Sequence, residues 1–310
     1  MDQLAQAIVN GLSLGSIMAL SAIALTLTYG ILRLSNFAHG DFMTLGAYLT
    51  LLLNGFGINI WISIVISTLG VIAFALFTEK VLWSTMRKKR TTPTTLIIIS
   101  IGLALVVRNT IIMIWGASPQ NFDIPVAETL TLGNIRVPYN SLVVMAMAVA
   151  AIALLHLILQ HTKTGKAMRA VADDIDLARV TGINVDRVIL YTWILSAGLT
   201  GIAGSMLGLI EKVNPEMGWF MILPLFASVI LGGIGNPYGA IVGALIIASA
   251  QEIGAGMSQI LGPLYITLLQ IPVLYPIVRI MSADYKIGIA LVIMMLVLLF
   301  KPQGLFKGTM

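Results

Sequence analysis

The chain has 310 residues, 58% hydrophobic and only 10% charged, whereas soluble globular proteins average about 45–50% apolar with Gly included and about 25% charged. A water-soluble fold of this size has no interior for so much apolar surface, so two soluble domains are excluded in favour of an all-α polytopic integral membrane protein. The 18 Lys and Arg against 13 Asp and Glu, net +5, leave no room for a nucleic-acid-binding face, zero Cys removes disulfides and thiolate chemistry, and three His leave little for a metal cluster.

A bilayer core of about 30 Å needs about 20 apolar residues in a helix. Such stretches fall near 10–32, 41–54, 60–78, 95–115, 141–160, 189–210, 220–250, 260–281 and 286–300. The second and last are short and the seventh is interrupted, so the expectation is about nine spans, within 8–10. None alternates as a membrane barrel strand would. Met1-Asp2-Gln3-Leu4 lacks the basic segment of a cleaved signal peptide, so the first stretch is expected to be retained. With the N-terminus outside, thirteen of the 18 Lys and Arg fall in cytoplasmic segments and four outside, predicting N-out and C-in. The outer loop 116–140, with Pro119, Pro125 and Pro138, reads as a short ordered excursion. Gly11/Gly15, Gly204/Gly208 and Gly239/Gly243 are spaced for close helix packing, within one subunit rather than at a dedicated dimer face.

In chain order, the first polar cluster is Asn36, His39 and Asp41. It lacks a nucleophile and a third catalytic member, so no catalytic residue is assigned and a helix boundary is expected, Asn36 as cap and Asp41 in the first turn. It is placed on the inner side of the first span. Arg108 stands 7 residues before Trp115 inside a span. A charge there faces protein or water and is paired, with Glu252 or Asn109 as candidate partners, or it snorkels outward over about 10 Å.

Residues 162–188 are the longest inner polar stretch, and Met168, Val171, Ile175 and Ala178 share one helical face. Gly182 suits the helix end, where a positive φ is needed. An amphipathic helix between spans can dock into a groove on a soluble partner. Gly165-Lys166 is no phosphate loop: Gln160 stands where Gly is required and Ala167 where Ser or Thr is required. Any ATP must be bound by another chain. Leu231-Gly-Gly-Ile-Gly-Asn-Pro-Tyr-Gly239 breaks the seventh stretch, either as a broken helix whose free backbone groups meet a zwitterion or as a turn at the inner surface.

Gly165-Lys-Ala-Met-Arg-Ala-Val-Ala-Asp-Asp174, Ala178 through Val188, Asn36 through Tyr48, Leu231 through Gly243 and the ending Lys301-Pro-Gln-Gly-Leu-Phe306 together resemble the LivH-type permeases of bacterial ABC importers. The resemblance implies a single permease domain over 1–310 in the bacterial cytoplasmic (inner) membrane. Its partners would be a second permease subunit, ATP-binding subunits carrying ATP-Mg, and an external solute-binding protein. The cargo would be a branched-chain or other neutral amino acid, with no cofactor or metal on this chain. It marks Gly165, Met168, Arg169, Val171, Asp174, Ile175, Ala178 and Gly182 as the ATPase-coupling loop. The candidate translocation path is Asn36, His39, Arg108, Gly232, Gly233, Gly235, Asn236 and Glu252. A second reading changes the cargo to urea or a short amide. An ion-coupled secondary transporter would need intramembrane ionisable groups, and the spans offer few beyond Arg108, Glu252 and His156.

Overall fold

The computed structural model describes residues 2–125, 128–132, 135–261, 285–301 and 303–306. Its helices are α1 (Asp2–Leu32), α2 (His39–Gly55), α3 (Ile60–Thr78), α4 (Ser84–Lys88), α5 (Pro93–Trp115), α6 (Tyr139–His161), α7 (Lys163–Asp173), α8 (Ile175–Val180), α9 (Val185–Ile210), α10 (Met217–Gly232), α11 (Pro237–Leu261) and α12 (Lys286–Phe300). A π-helical turn, Glu79–Trp83, joins α3 to α4. Six helical segments, Gln3–Leu32, Ile60–Lys88, Pro93–Trp115, Tyr139–His161, Val185–Ile210 and Pro237–Met257, are long and apolar enough to cross a membrane. Helices α2, α10 and α12, with 17, 16 and 15 residues, are shorter.

Local chemistry fixes several ends. Thr92 accepts a hydrogen bond from Thr95 N with Pro93 in the first turn of α5, and Gly116 ends that helix at φ +81°. Asn59 and Asn184 cap α3 and α9 in the same way. In the 116–140 excursion, Thr129–Leu132 (β1) pairs antiparallel with Ile135–Pro138 (β2), with Thr129 opposite Pro138. This hairpin is a small addition to an otherwise helical chain.

Successive long helices alternate in direction. Helix α1 runs antiparallel to α11, with Gly11 against Ser249 and Gly15 against Leu245. Helix α3 runs antiparallel to α9, Ser67 meeting Ser205 near one end and Glu79 meeting Trp193 near the other. One end of the bundle thus carries α7 and α8, the other the hairpin. The small residues work inside the chain: Gly204 packs on Met43, Gly208 on Phe122 and Gly243 on Ser228. Close packing within one subunit is what the Gly pairs do here.

One expectation about spans needs correction. The stretch 220–250 is two antiparallel helices, α10 and α11, because Gly233 (φ +104°), Gly235 (φ +90°) and Pro237 make a turn that continues neither helix. The expected span 260–281 lies largely outside the described residues.

The chain also folds back on itself after α1. His39 Nε2 lies 2.9 Å from Ser21 Oγ, and Ser21 precedes Leu32 by 11 residues, about 16 Å of helix. Segment 33–38 therefore returns along the bundle before α2 begins. Arg33, at φ +51°, makes the reversal. Phe37 N then donates to Ser100 Oγ on α5.

Candidate functional site

The N-termini of α2 and α10 meet in the interior. Gly40 and Gly218 touch through their backbones, and a Cβ on either would come closer than 3.0 Å to the other's carbonyl oxygen. Gly218 N donates to Thr44 Oγ1 at 3.0 Å. Phe37 and Phe226 pack with ring centroids 4.8 Å apart, so the two helices leave this junction in opposite directions. Each helix N-terminus carries about half a positive charge. Two such ends meeting inside an apolar bundle call for a compensating anion.

Asp41 supplies it. It sits in the first turn of α2, fully buried. Arg108 on α5 answers with a two-pronged contact, Nε to Oδ1 at 3.0 Å and Nη2 to Oδ2 at 3.2 Å. Trp219, in the first turn of α10, lies against the guanidinium with its ring centroid 4.5 Å from Cζ. Arg108 is thus buried and paired, as expected, but with Asp41 rather than Glu252 or Asn109, and it does not snorkel. Glu252 pairs instead with Lys286 Nζ at 2.6 Å, while Asn109 bonds its own helix at Leu105 O.

Asn36, His39 and Asp41 do sit together, but at the depth of Ser21 rather than at the inner end of the first span. Folding back of segment 33–38 is the reason. His39 Nε2 faces Ser21 Oγ, Ser21 O at 3.0 Å and Thr200 Oγ1 at 3.4 Å. Asn36 does not cap α2, whose N-cap is Ala38 with no side-chain bond. Its Oδ1 accepts from the backbone N of Ala38, the residue just before α2, and its Nδ2 has no partner among the described residues.

The turn 232–236 lies away from this junction. Leu305 N and Phe306 N donate to Leu231 O and Gly232 O, so the C-terminal segment satisfies the carbonyls that a broken helix would leave open. Asn236 Oδ1 caps α11 by accepting from Tyr238 N and Gly239 N. Tyr238 Oη in turn reaches His156 Nδ1 at 2.7 Å near the end of α6. Gly232, Gly233, Gly235 and Asn236 therefore stand at the α7–α8 end of the bundle, the geometry of the surface-turn alternative.

The 162–188 loop is two helices. Asp174, in extended conformation, ends α7 and caps α8 by accepting from Asp176 N and Leu177 N. This break separates the expected face. Met168, Val171 and Ala178 are buried within the chain, and Gly165 packs directly on Leu159 O. Arg169 folds back to bond Leu159 O and Gln160 Oε1 at the end of α6. Ile175 alone of the expected apolar face is exposed, joined by Leu177 at 60% and Val180 at 81% exposure. Gly182 adopts φ +89°, as expected for the helix end. Arg33 Nη2 donates to Ala172 O at 3.2 Å, tying α7 to the start of segment 33–38.

Sequence reasoning missed Trp219, Gly218 and the cluster where Arg87 and Trp193 both bond buried Glu79. Gly218 lies just outside the expected apolar stretch, and Glu79 is marked only as a carboxylate at the end of a span. Two cavities open at the hairpin end, one of about 400 Å³ lined by Trp115, Asn54 and Asp123 and one of about 250 Å³ lined by Phe122, Gly208 and Glu211.

Long apolar helices, interior ion pairs and a docked polar helix pair at one end define a multi-pass helical membrane protein. Residues 7–298 match the family model "Branched-chain amino acid transport system / permease component". The chain belongs to that family. It is 28% identical to the high-affinity branched-chain amino acid transport system permease protein LivH of Salmonella typhimurium, over 97% of this chain and 94% of that one. It is 30% identical to the probable branched-chain amino acid transport permease protein LivH of Methanocaldococcus jannaschii, over 77% of each. Among solved structures, a chain of PsaBC from Streptococcus pneumoniae in complex with Fab aligns with a TM-score of 0.55 at 12% identity, covering 98% of this chain and 93% of that chain. That likeness concerns the fold alone.

Proposed function

We propose that the chain is one of two permease subunits of an ATP-driven importer for branched-chain or other neutral amino acids in a bacterial inner membrane. The match of the family over residues 7–298 carries this reading. ATP is hydrolysed on separate ATP-binding chains, and an external solute-binding protein delivers the cargo at the hairpin end. The α7–α8 end faces the cytoplasm, where Lys and Arg concentrate. The nine described helices that alternate between the two ends, α1, α2, α3, α5, α6, α9, α10, α11 and α12, then put the N-terminus outside and the C-terminus inside.

The geometry supports a direct mechanical route. ATPase closure presses on α8, α7 moves with it, and the Arg33–Ala172 bond passes the displacement to segment 33–38. That segment leads into His39 and Asp41 in the first turn of α2, where α2 and α10 meet. Switching of access requires two arrangements that the partners bind differently. An ion-coupled mechanism gains no support here, because Asp41, Glu79 and Glu252 are each paired with a cation.

The test is uptake of radiolabelled leucine into proteoliposomes holding both permease chains, the ATP-binding subunits and the receptor. Accumulation is expected to require ATP and receptor. Uptake by this chain alone under an ion gradient would overturn the proposal, and uptake of urea without leucine would replace the cargo. Orientation has its own expected result. A Cys placed at Gln120 or Asn121 reacts in intact cells with a membrane-impermeant thiol reagent, and one at Lys89 does not; the reverse pattern inverts the topology.

A further inference from the structure

A buried ion pair is weak evidence for stability, since desolvating both charges offsets most of their attraction. Charges inside membrane helices are costly and mark functional sites by default. The Asp41–Arg108 pair has a second property that a plain staple lacks. Asp41 occupies Nε and Nη2 of the guanidinium, while Nη1 has no hydrogen-bond partner among the described residues. The Arg108 side chain keeps 11% of its surface exposed, whereas Asp41 keeps none. Trp219, which covers the guanidinium face, is itself 36% exposed and lies beside exposed Phe220 on α10. The junction therefore reaches the molecular surface on the α10 side with a planar cation whose outer edge is open. Two helix N-termini add positive potential at the same point.

We infer that Arg108 takes the α-carboxylate of the passing amino acid on its open Nη1 edge, with Asp41 as the positioning residue that aims the guanidinium and Trp219 as the wall against which it lies. This rests on the reading of the cargo as an amino acid. Guanidinium suits a carboxylate because its donors are coplanar and permanently charged. Asp41 cannot be displaced cheaply, being enclosed, so the substrate adds to the pair rather than breaking it. A carboxylate arriving there meets the open guanidinium edge and two helix ends, and because Asp41 already offsets one unit of that positive charge, the hold is weak enough for release. Such a site discriminates amino acids from amides and urea within the path itself.

The test uses the whole reconstituted importer with Arg108→Gln, Arg108→Lys, Asp41→Asn and the double variant Asp41→Asn/Arg108→Gln. The double variant replaces two charges with a neutral hydrogen-bonding pair, which restores whatever a structural staple provides. Arg108→Gln alone strands the enclosed Asp41 carboxylate, so less folded complex is expected from it. Substrate recognition predicts that the double variant recovers assembled complex to within about twofold of wild type, while leucine uptake per assembled complex stays about tenfold or more below wild type in both variants. Arg108→Lys keeps the charge without the planar fork and falls between. Recovery of uptake to wild type in the double variant would overturn the inference and leave the pair a staple. If the double variant fails to assemble, the comparison passes to Arg108→Lys, whose full activity would equally overturn it. Failure of the wild-type importer to carry leucine sinks the amino-acid reading instead, whatever the variants do.

Discussion

Gly218→Ala and Gly40→Ala are each expected to deplete membranes of folded protein, whereas Gly102→Ala on α5 is expected to be nearly silent. A Cβ at Gly218 meets Gly40 O and Thr44 Oγ1, and one at Gly40 meets Gly218 O, all closer than 3.0 Å. Flexible side-chain ends could turn aside from such an intrusion, but these obstacles include backbone. Overpacking in a filled core costs about 1–3 kcal/mol and more where nothing can yield. That is a large share of a net stability of about 5–15 kcal/mol. At Gly102 the added methyl meets nothing within 4 Å, and the change to Ala favours the helix by about 1 kcal/mol. The measurement is the monodisperse fraction and the thermal midpoint of detergent-purified protein. A Gly218→Ala protein as stable as Gly102→Ala would mean that α2 and α10 do not abut.

How much of the fold is legible in the sequence differs from residue to residue. Long spans announce themselves, because a bilayer demands about 20 apolar residues in a row, and α5 and α6 fall close to the expected limits. Local end signals also read well. Gly182 takes its positive φ and Asp41 its place in a first turn because those preferences act over one turn of chain. Depth is not legible. Nothing in Arg33-Leu-Ser-Asn-Phe-Ala38 says that the chain folds back to Ser21; only the packing of α2 against α9 and α10 decides it. The partner of Arg108 escapes for the same reason. Glu252 is a reasonable choice by span position, but pairing depends on which helices are neighbours, and α2 rather than α11 lies beside α5. The coupling loop shows a third kind of limit. Met168, Val171, Ile175 and Ala178 keep one face only if the helix is unbroken, and Asp174 breaks it by ending α7 and capping α8.

The break at Asp174 divides the coupling loop into two parts with opposite expected responses to a new charge. Met168 and Val171 are buried against their own chain, so a charge there attacks the fold, not a partner. Met168→Asp is expected to lower the yield of folded permease, since an unpaired buried carboxylate costs several kcal/mol. Leu177 and Val180 on α8 are the opposite case. They are exposed apolar side chains on the polar end of the bundle, outside the long apolar helices, so a change there leaves the spans intact. Leu177→Asp/Val180→Asp is therefore expected to give normal amounts of permease that no longer hold the ATP-binding subunits. A carboxylate trapped in an apolar groove costs enough to lower the affinity of a micromolar-class contact about 100-fold. Asp176→Asn, at a side chain 86% exposed, is expected to change little, because an ion pair so exposed contributes about 0–1 kcal/mol. The measurement is copurification of ATP-binding subunits with tagged permease, together with ATP hydrolysis stimulated by loaded receptor. Normal copurification and stimulation in Leu177→Asp/Val180→Asp would remove α8 from the interface. Loss of copurification in Met168→Asp with full yield would return the docking face to α7.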